Sequence, residues 1–259
     1  MVASLIAVGA VVVGFPLLMY LMQDQLIFFR QPVHEAQRDS IARRFPAVES
    51  VFIQADVRLH AWHIRGSPLV LYFGGNAEEV SWMLDEAPRR APGVGWLLID
   101  YRGYGSSEGS PSEAALTSDG LAWYDYATRE LKANKVFLFG RSLGSGVAVH
   151  LAAERPVAGV ILVAPFDSLV EVGKHHYPYL PVDWMLKHRF YSVARAPGID
   201  VPLLCLAAEY DEIIPVEHSR RLYDAWGGAK HWVGLRGARH NSTDTAPGFW
   251  ENIWKFLMP

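Results

Sequence analysis

A serine between glycines is the residue of this chain best suited to act as a nucleophile. The pattern G-x-S-x-G runs from Gly140 to Gly144, with Ser142 at its centre. It follows the strand-like run Val136 to Gly140 and precedes the helix-like run Val147 to Glu154. A strand–turn–helix context of this kind holds the serine in a strained backbone conformation and exposes its hydroxyl above the strand ends. The pattern therefore predicts covalent catalysis through the Ser142 oxygen.

A second stretch of the chain fits the same pattern. It runs from Gly105 to Gly109, with Ser107 at its centre, and begins four residues after the strand-like run Gly95 to Tyr101. It leads into Ser110-Pro111 rather than into a helix. The context therefore favours Ser142, and a glycine-rich turn with a solvent-exposed serine is the simple alternative.

A serine hydroxyl is a poor nucleophile at neutral pH, so it needs a base, and the base needs an acid that orients it. In enzymes built on such a turn, the acid and then the histidine follow the serine, on loops at strand ends. Asp211 follows the apolar run Pro202 to Ala208, and His240 follows the run His231 to Leu235. Asp167 is the second candidate for the acid. Three further histidines compete less well for the role of base: His188, His218 and His231.

The oxyanion of an acyl-transfer intermediate needs two backbone amides directed at one point. The amide of Leu143, directly after the serine, is one candidate. The other is expected from the loop Gly74-Gly75-Asn76, which follows the run Leu69 to Phe73. Glycines allow that backbone to approach a substrate closely, so Gly75 is also a candidate substrate contact. The simple alternative is a strand-to-helix turn with Asn76 near a helix N-cap.

Strand-like and helix-like runs alternate after residue 49, and this alternation predicts how the candidate residues are brought together. Eight runs are expected to be strands: Val51–Ala55, Arg58–Ile64, Leu69–Phe73, Trp96–Ile99, Val136–Gly140, Val157–Val163, Pro202–Ala208 and His231–Leu235. Five are expected to be helices: Ala77–Ala87, Ser112–Leu131, Val147–Glu154, Pro215–Trp226 and Pro247–Leu257. The pattern predicts an α/β fold with a mostly parallel eight-stranded sheet, helices on both faces, and the site at the strand carboxyl ends.

The segment from Phe166 to Val201 is longer than a simple crossover between strands requires. It is rich in aromatic side chains, which include Tyr177 and Trp184. We interpret it as a small cap with an apolar wall, and expect Tyr177 and Trp184 to contact the substrate. The alternative is an ordinary helical excursion whose aromatic side chains only pack.

Composition excludes several classes of protein. The 259 residues are 51% apolar and carry a net charge of −3, so a large core is expected and broad nucleic-acid binding is not. A single cysteine, Cys205, excludes an internal disulfide framework and lies in an apolar run typical of buried positions. The ten histidines are scattered rather than grouped at zinc-ligand spacing. Neither a metal nor an organic cofactor is expected.

The first residues predict a membrane anchor. Met1 to Met22 has no charged side chain, and a helix of that length spans about 33 Å, enough for a hydrocarbon core. A cleaved signal peptide is the alternative, but the stretch lacks a basic start. Ala10 and Gly14 form a small-xxx-small pair that favours pairing of two anchors and thus a homodimer. Basic residues in the juxtamembrane segment 23–48 place the catalytic domain on the cytoplasmic side of a single-pass protein.

Six sequence blocks between Leu69 and Asn241 carry a family resemblance: Y-F-G-G-N-A-E, D-Y-R-G-Y-G-S-S-E-G, G-R-S-L-G-S-G, A-P-F-D-S, Y-D-E-I-I-P and G-A-R-H-N. Together they resemble the Bem46-like group of α/β-hydrolases, which includes the membrane-associated ABHD13- and ABHD17-type proteins. The resemblance implies an α/β-hydrolase domain over residues 49–259, with a cap-like insertion at about 166–201.

The same resemblance implies roles for individual residues. Ser142, Asp211 and His240 match the catalytic triad, and the amides of Asn76 and Leu143 match the oxyanion hole. The group usually has a histidine where this chain has Gly74. That histidine is structural, so the resemblance implies that the chemistry is retained with a different support for the loop.

Two functions fit these features. The first is a membrane-anchored serine hydrolase that cleaves carboxylic esters or thioesters through an acyl-enzyme, without a cofactor. Its expected partners are a small acyl ester or lipid-like substrate and the lipid bilayer, because the cap and the anchor are both apolar. The second is a catalytically idle, membrane-tethered interaction domain. The order of Ser142, Asp211 and His240 in the chain favours the enzyme.

We expect Ser142→Ala to abolish ester hydrolysis, because removing a nucleophile costs several orders of magnitude in rate. Ser107→Ala, in the competing pattern, should retain most of the activity. Hydrolysis of a short p-nitrophenyl ester by the two purified variants measures the difference. Similar losses of ester hydrolysis in both variants would contradict the assignment of Ser142 as the nucleophile.

Overall fold

A single eight-stranded sheet forms the centre of the molecule. The computed structural model describes residues 14–258. The strands are β1 (Glu49–Gln54), β2 (Arg58–Ile64), β3 (Leu69–Phe73), β4 (Gly95–Ile99), β5 (Val136–Arg141), β6 (Gly159–Val163), β7 (Leu203–Ala208) and β8 (Lys230–Leu235). Their order across the sheet is β1-β2-β4-β3-β5-β6-β7-β8.

Strand direction divides this sheet into two parts. The pairs from β4 through β3 to β8 are all parallel, whereas β1 and β2 form an antiparallel hairpin and β2 pairs antiparallel to β4. The predicted mostly parallel, eight-stranded sheet is confirmed. Because β3 lies between β4 and β5, the loops that leave β3 and β5 open side by side at the carboxyl edge, where ligands bind in open α/β sheets.

Helices cover both faces of the sheet. Their bounds are α1 (Phe15–Ile27), α2 (Glu35–Arg44), α3 (Met83–Arg90), α4 (Glu113–Arg129), α5 (Leu143–Glu154), α6 (Leu169–His176), α7 (Val182–Met185), α8 (Ser192–Arg195), α9 (Val216–Ala225) and α10 (Phe249–Leu257). One core contains residues of α4, α5 and α9 against the sheet, and the other contains residues of α3 and α10. Strands β3, β4, β6 and β7 are buried along their whole length, as their near-continuous apolar runs predict.

Two predicted helix starts differ from the structure. Ala77 has φ +58°, a left-handed conformation in which no helix begins, so the helix predicted over Ala77–Ala87 is replaced by a 3₁₀ turn at Val80–Trp82 followed by α3. Conversely, α5 starts at Leu143 rather than at Val147. Its small first residues are poor helix formers, but they let the helix pack against the end of β3, and that packing overrides propensity.

The cap region contains short helices rather than one long excursion. Residues 166–201 include α6, α7, α8 and a 3₁₀ turn at Ala196–Gly198. Phe190 from this region packs edge-on against Phe166, beside α5. The cap thereby contacts the helix that directly follows the candidate nucleophile.

The segment before β1 packs on the domain. Phe28, at the end of α1, is buried in the core, and Pro32 forms a β-bridge with Gly105. Most of the anchor predicted at Met1 to Met22 lies outside the described residues. Over residues 14–258, no helix combines the length and the apolar character needed to cross a bilayer.

The turn after β4 is held by a buried arginine. Arg102 donates to both carboxylate oxygens of Asp119 on α4 at 2.6 Å, and to Asp56 in the β1–β2 turn at 2.7 Å. These hydrogen bonds, chiefly those to Asp119, raise the pKa of the guanidinium and keep it charged. The arginine thus joins the turn after β4 to α4 and to the β1–β2 turn.

We expect Gly144→Ala to destabilise the fold, because an added Cβ would lie 2.0 Å from the Phe73 carbonyl oxygen. Overpacking of this kind costs about 1–3 kcal/mol, or roughly 2–10 °C in Tm for a chain of this size. Gly198→Ala is the control, since no atom lies within 4 Å of its added Cβ. Thermal unfolding of both variants measures the effect, and equal Tm values would contradict the close approach.

Candidate active site

Ser142 lies in the sharp turn between β5 and α5. Its backbone has φ +49° and ψ −116°, a conformation that non-glycine residues rarely adopt. The turn is fixed because the Ser142 amide donates to the Val163 carbonyl on β6 at 2.9 Å, and the Ser145 hydroxyl donates to the Ser142 carbonyl at 2.6 Å. The hydroxyl of Ser142 therefore projects from a rigid point at the carboxyl edge of the sheet.

The structure brings Ser142, His240 and Asp211 together. Nε2 of His240 lies 2.9 Å from the Ser142 hydroxyl oxygen, and Nδ1 lies 2.8 and 2.9 Å from the two carboxylate oxygens of Asp211. Asp211 is oriented in turn by the backbone amides of Ile213 and Ile214, which donate to its Oδ1 at 3.0 and 2.7 Å. The three side chains form one hydrogen-bonded line from carboxylate to hydroxyl.

Two loops supply amides near this line. Leu143 is the first residue of α5, where a backbone N–H has no acceptor within its own helix. In the loop after β3, the Gly75 amide already donates to Glu78 at 2.6 Å, which leaves the Asn76 amide as the second candidate. Both loops border a cavity of about 470 Å³, lined by Gly75, Asn76, Ala77, Glu78, Arg141, Ser142, Ile213, His240 and Asn241.

A buried carboxylate supports the loop after β3. Glu78 accepts hydrogen bonds from the Gly75 amide, from the Tyr72 hydroxyl and, at 2.8 Å, from the Trp82 indole. It also lies 3.5 Å from the guanidinium of Arg141, and the side chain of Glu78 is only 8% exposed. Burial, together with the nearby Glu78 carboxylate, raises the pKa of Tyr72 and keeps it a donor. Sequence reasoning missed Glu78 and Arg141, although both lie inside the quoted motif blocks.

A tyrosine supports the loop at Gly74, the position where the Bem46-like resemblance implies a histidine in other proteins. The Tyr101 hydroxyl donates to the Gly74 carbonyl at 2.9 Å. Burial raises the pKa of Tyr101 well above its ordinary value, so this donor keeps its proton at any physiological pH. Tyr101 and Glu78 thus hold the loop on both sides of its glycines.

Competing residues of the sequence patterns lie elsewhere. Asp167 is bound to His218 and Arg221, at 2.8 and 2.5 Å, rather than to His240. Ser107 is buried, and its hydroxyl donates to the Asp100 carbonyl at 2.8 Å. Its role in the turn is therefore structural. Cys205 is fully buried, as predicted.

The aromatic residues predicted to contact the substrate are not grouped around Ser142. Trp184 is 89% exposed on α7 and does not line the cavity at Ser142, so its contact with the substrate stays a prediction. Tyr177 lines a different, apolar cavity between α1 and the cap. Gly75, in contrast, lines the cavity at Ser142.

Comparison with known sequences places this chain among hydrolases. Residues 68–190 match the family described as serine aminopeptidase, S33. The uncharacterized protein Rv2307c of Mycobacterium tuberculosis is 36% identical, over 93% of this chain and 88% of that protein. The uncharacterized membrane protein YNL320W of Saccharomyces cerevisiae is 30% identical, over 81% of this chain and 78% of that protein.

Two further matches concern a characterised enzyme and a solved structure. The lysophosphatidylserine lipase ABHD12 of Danio rerio is 34% identical over 61% of this chain, which spans only 47% of that protein. An α/β-hydrolase from Vibrio vulnificus has a TM-score of 0.76 at 18% identity, covering 93% of this chain and 94% of the other. Membership of the Bem46-like group stays a prediction. The sheet order, the turn at Ser142 and these matches together assign the chain to the α/β-hydrolase superfamily.

Proposed function

We propose that this protein is a serine hydrolase that cleaves carboxylic esters or thioesters carrying an acyl chain. The observation that carries the proposal is the hydrogen-bonded line from Asp211 through His240 to Ser142, with its last contact at 2.9 Å. The family match and the lipase relative support hydrolysis as the reaction class.

The geometry supports the following sequence of steps. His240 takes the Ser142 proton as the hydroxyl oxygen attacks the acyl carbonyl carbon, and Asp211 holds the imidazole in the required tautomer and stabilises its cation. The tetrahedral oxyanion accepts hydrogen bonds from the Asn76 and Leu143 amides. The carbon–oxygen or carbon–sulfur bond to the leaving group then breaks, and His240 returns the proton to that group. Water, deprotonated by the same imidazole, then attacks the carbonyl of the acyl-enzyme; the ester bond to Ser142 breaks, the acid is released, and His240 returns the proton to the serine oxygen.

Glu78 is a positioning residue in this scheme. It touches no reacting atom, but it fixes Gly75 directly before the amide of Asn76. Arg141, which lines the cavity beside Ser142, is held by the same carboxylate. Since a displacement of about 1 Å in a catalytic group can cost 10²-fold in rate, the loop needs this support.

A lipid-like substrate at a membrane is the setting we propose. The relatives include a lysophosphatidylserine lipase and a yeast membrane protein, and α1 presents exposed apolar side chains beside the cap. These exposed residues are Phe15, Leu17, Leu18, Leu21, Met22 and Leu26. We therefore place the enzyme on a membrane, with its substrate drawn from amphiphilic acyl esters.

Labelling by a fluorophosphonate probe tests the proposed chemistry. Wild type should be labelled at Ser142 and should hydrolyse p-nitrophenyl acetate. Asp211→Asn should lower kcat by roughly 10³–10⁴-fold, because it favours the wrong imidazole tautomer. Asp167→Asn should leave kcat within about threefold, with thermal unfolding of both variants recorded to confirm that they are folded. Folded wild type that takes no label would instead support the idle interaction domain.

We expect Glu78→Gln to lower kcat by roughly 10–100-fold while KM changes little, because the neutral amide offers only one acceptor oxygen and leaves Arg141 unpaired. Glu79→Gln is the matched control: Glu79 accepts from Ser81 in the next turn rather than from the loop glycines. Steady-state kinetics on p-nitrophenyl acetate separate kcat from KM. Equal kcat values in the two variants would remove Glu78 from the positioning role.

A further inference from the structure

An apolar cavity of about 230 Å³ lies between α1 and the cap. From α1 it is lined by Met19, Tyr20, Gln23, Leu26 and Ile27. From the cap it is lined by Leu169, Val172, Gly173, His176, Tyr177, Leu180, Val182, Met185 and Leu186. Seven of these fourteen residues are leucine, isoleucine or valine and two are methionine, so the space suits an apolar ligand better than a polar one.

Polar contacts fix the two walls of this cavity relative to each other. Gln23 is buried on α1, and its amide nitrogen donates to the Met185 carbonyl at 3.1 Å. Its amide oxygen accepts from the Lys187 backbone N–H at 2.7 Å. One residue further on, Asp24 lies 2.9 Å from Nε2 of His188. Helix α1 therefore has a defined position against the cap, although it is largely exposed on its other side.

Hydrogen bonds connect the two sides of this region to residues that line the cavity at Ser142. On the α1 side, the backbone N–H of Phe29 donates to the Asn76 side chain at 2.8 Å. On the cap side, Nε2 of His176 donates to the Ile213 carbonyl at 2.7 Å. Asn76 and Ile213 both line the catalytic cavity, and His176 lines the apolar one. The two cavities are therefore neighbours through the contact between His176 and Ile213.

We infer that the cavity between α1 and the cap binds the acyl chain of the substrate. This inference rests on the proposed function, because it needs an acyl ester at Ser142. With the carbonyl at Ser142, the hydrocarbon chain extends past Ile213 and His176 into this mainly apolar space. Helix α1 is then a wall of the substrate site.

This arrangement should make the rate depend on the length of the substrate's acyl chain. Each methylene buried in the cavity should raise kcat/KM by up to roughly fourfold, until the cavity is filled. A side chain that fills the cavity should remove that gain while leaving short esters unaffected, because a short acyl group never leaves the site at Ser142.

Tryptophan substitutions at two methionines of α1 provide the test. Met19 lines the cavity, whereas Met22 is 39% exposed and lies outside its lining. Full-length protein in one detergent is assayed on p-nitrophenyl acetate and p-nitrophenyl decanoate. Met19→Trp should lower kcat/KM for decanoate at least tenfold and change it less than twofold for acetate. Met22→Trp should behave like wild type on both esters.

A second pair of variants on the opposite wall guards against misfolding of α1. Leu180→Trp fills the cavity from the cap, and Tyr179→Trp alters its neighbour, which is 97% exposed. The inference is overturned if wild type hydrolyses acetate but Met19→Trp and Leu180→Trp, both folded, keep the wild-type preference for decanoate. Folded wild type that hydrolyses neither ester and takes no fluorophosphonate label would overturn the proposed function itself.

Discussion

The site depends on a strained serine held at one turn. Ser142 adopts a positive φ, which costs on the order of 1–3 kcal/mol and persists only where the surroundings fix it. Here the Val163 carbonyl and the Ser145 hydroxyl hold the turn, and Gly144 lets α5 approach the Phe73 carbonyl at the end of β3. That close approach places the first amides of the helix opposite the glycine loop. The positions of the candidate nucleophile and of the candidate oxyanion amides depend on this contact between helix and strand.

A second Ser–His–Asp line shows what else a catalytic site requires. Ser50 lies 2.9 Å from His60, and His60 lies 2.6 Å from Asp100, a connectivity like that around Ser142. However, Ser50 lies within the extended strand β1, whose backbone pairs regularly with β2. Ser142, in contrast, stands at a helix start and lines a cavity of about 470 Å³. Directed amides and space for a substrate, rather than the hydrogen-bonded line alone, distinguish the two.

Local patterns in the sequence predicted the sheet and the order of its candidate catalytic residues. The runs before Ser142 and His240 end in short loops, and strand carboxyl ends meet at one edge, so these side chains converge. Contacts between segments that are far apart in the sequence could not be predicted from local sequence patterns. Glu78 is an ordinary loop residue in the sequence, and Gln23 meets partners more than 160 positions away. Aromatic content also does not specify which side of a short helix faces the site, so the exposure of Trp184 could not be predicted from the sequence.

The contacts of α1 indicate that the N-terminal segment is part of the folded domain and not only a tether. A segment that served only as a tether would need no fixed orientation, yet Gln23 and Asp24 are paired with the cap and Phe29 with Asn76. Leaving a buried polar group such as Gln23 unpaired costs about 1–3 kcal/mol, which favours one docked position of the helix. Asn76 also accepts a hydrogen bond from Tyr104 at 3.1 Å, so its side chain joins α1 to the turn after β4. The segment that precedes the sheet therefore helps to hold the loop that carries a candidate oxyanion amide.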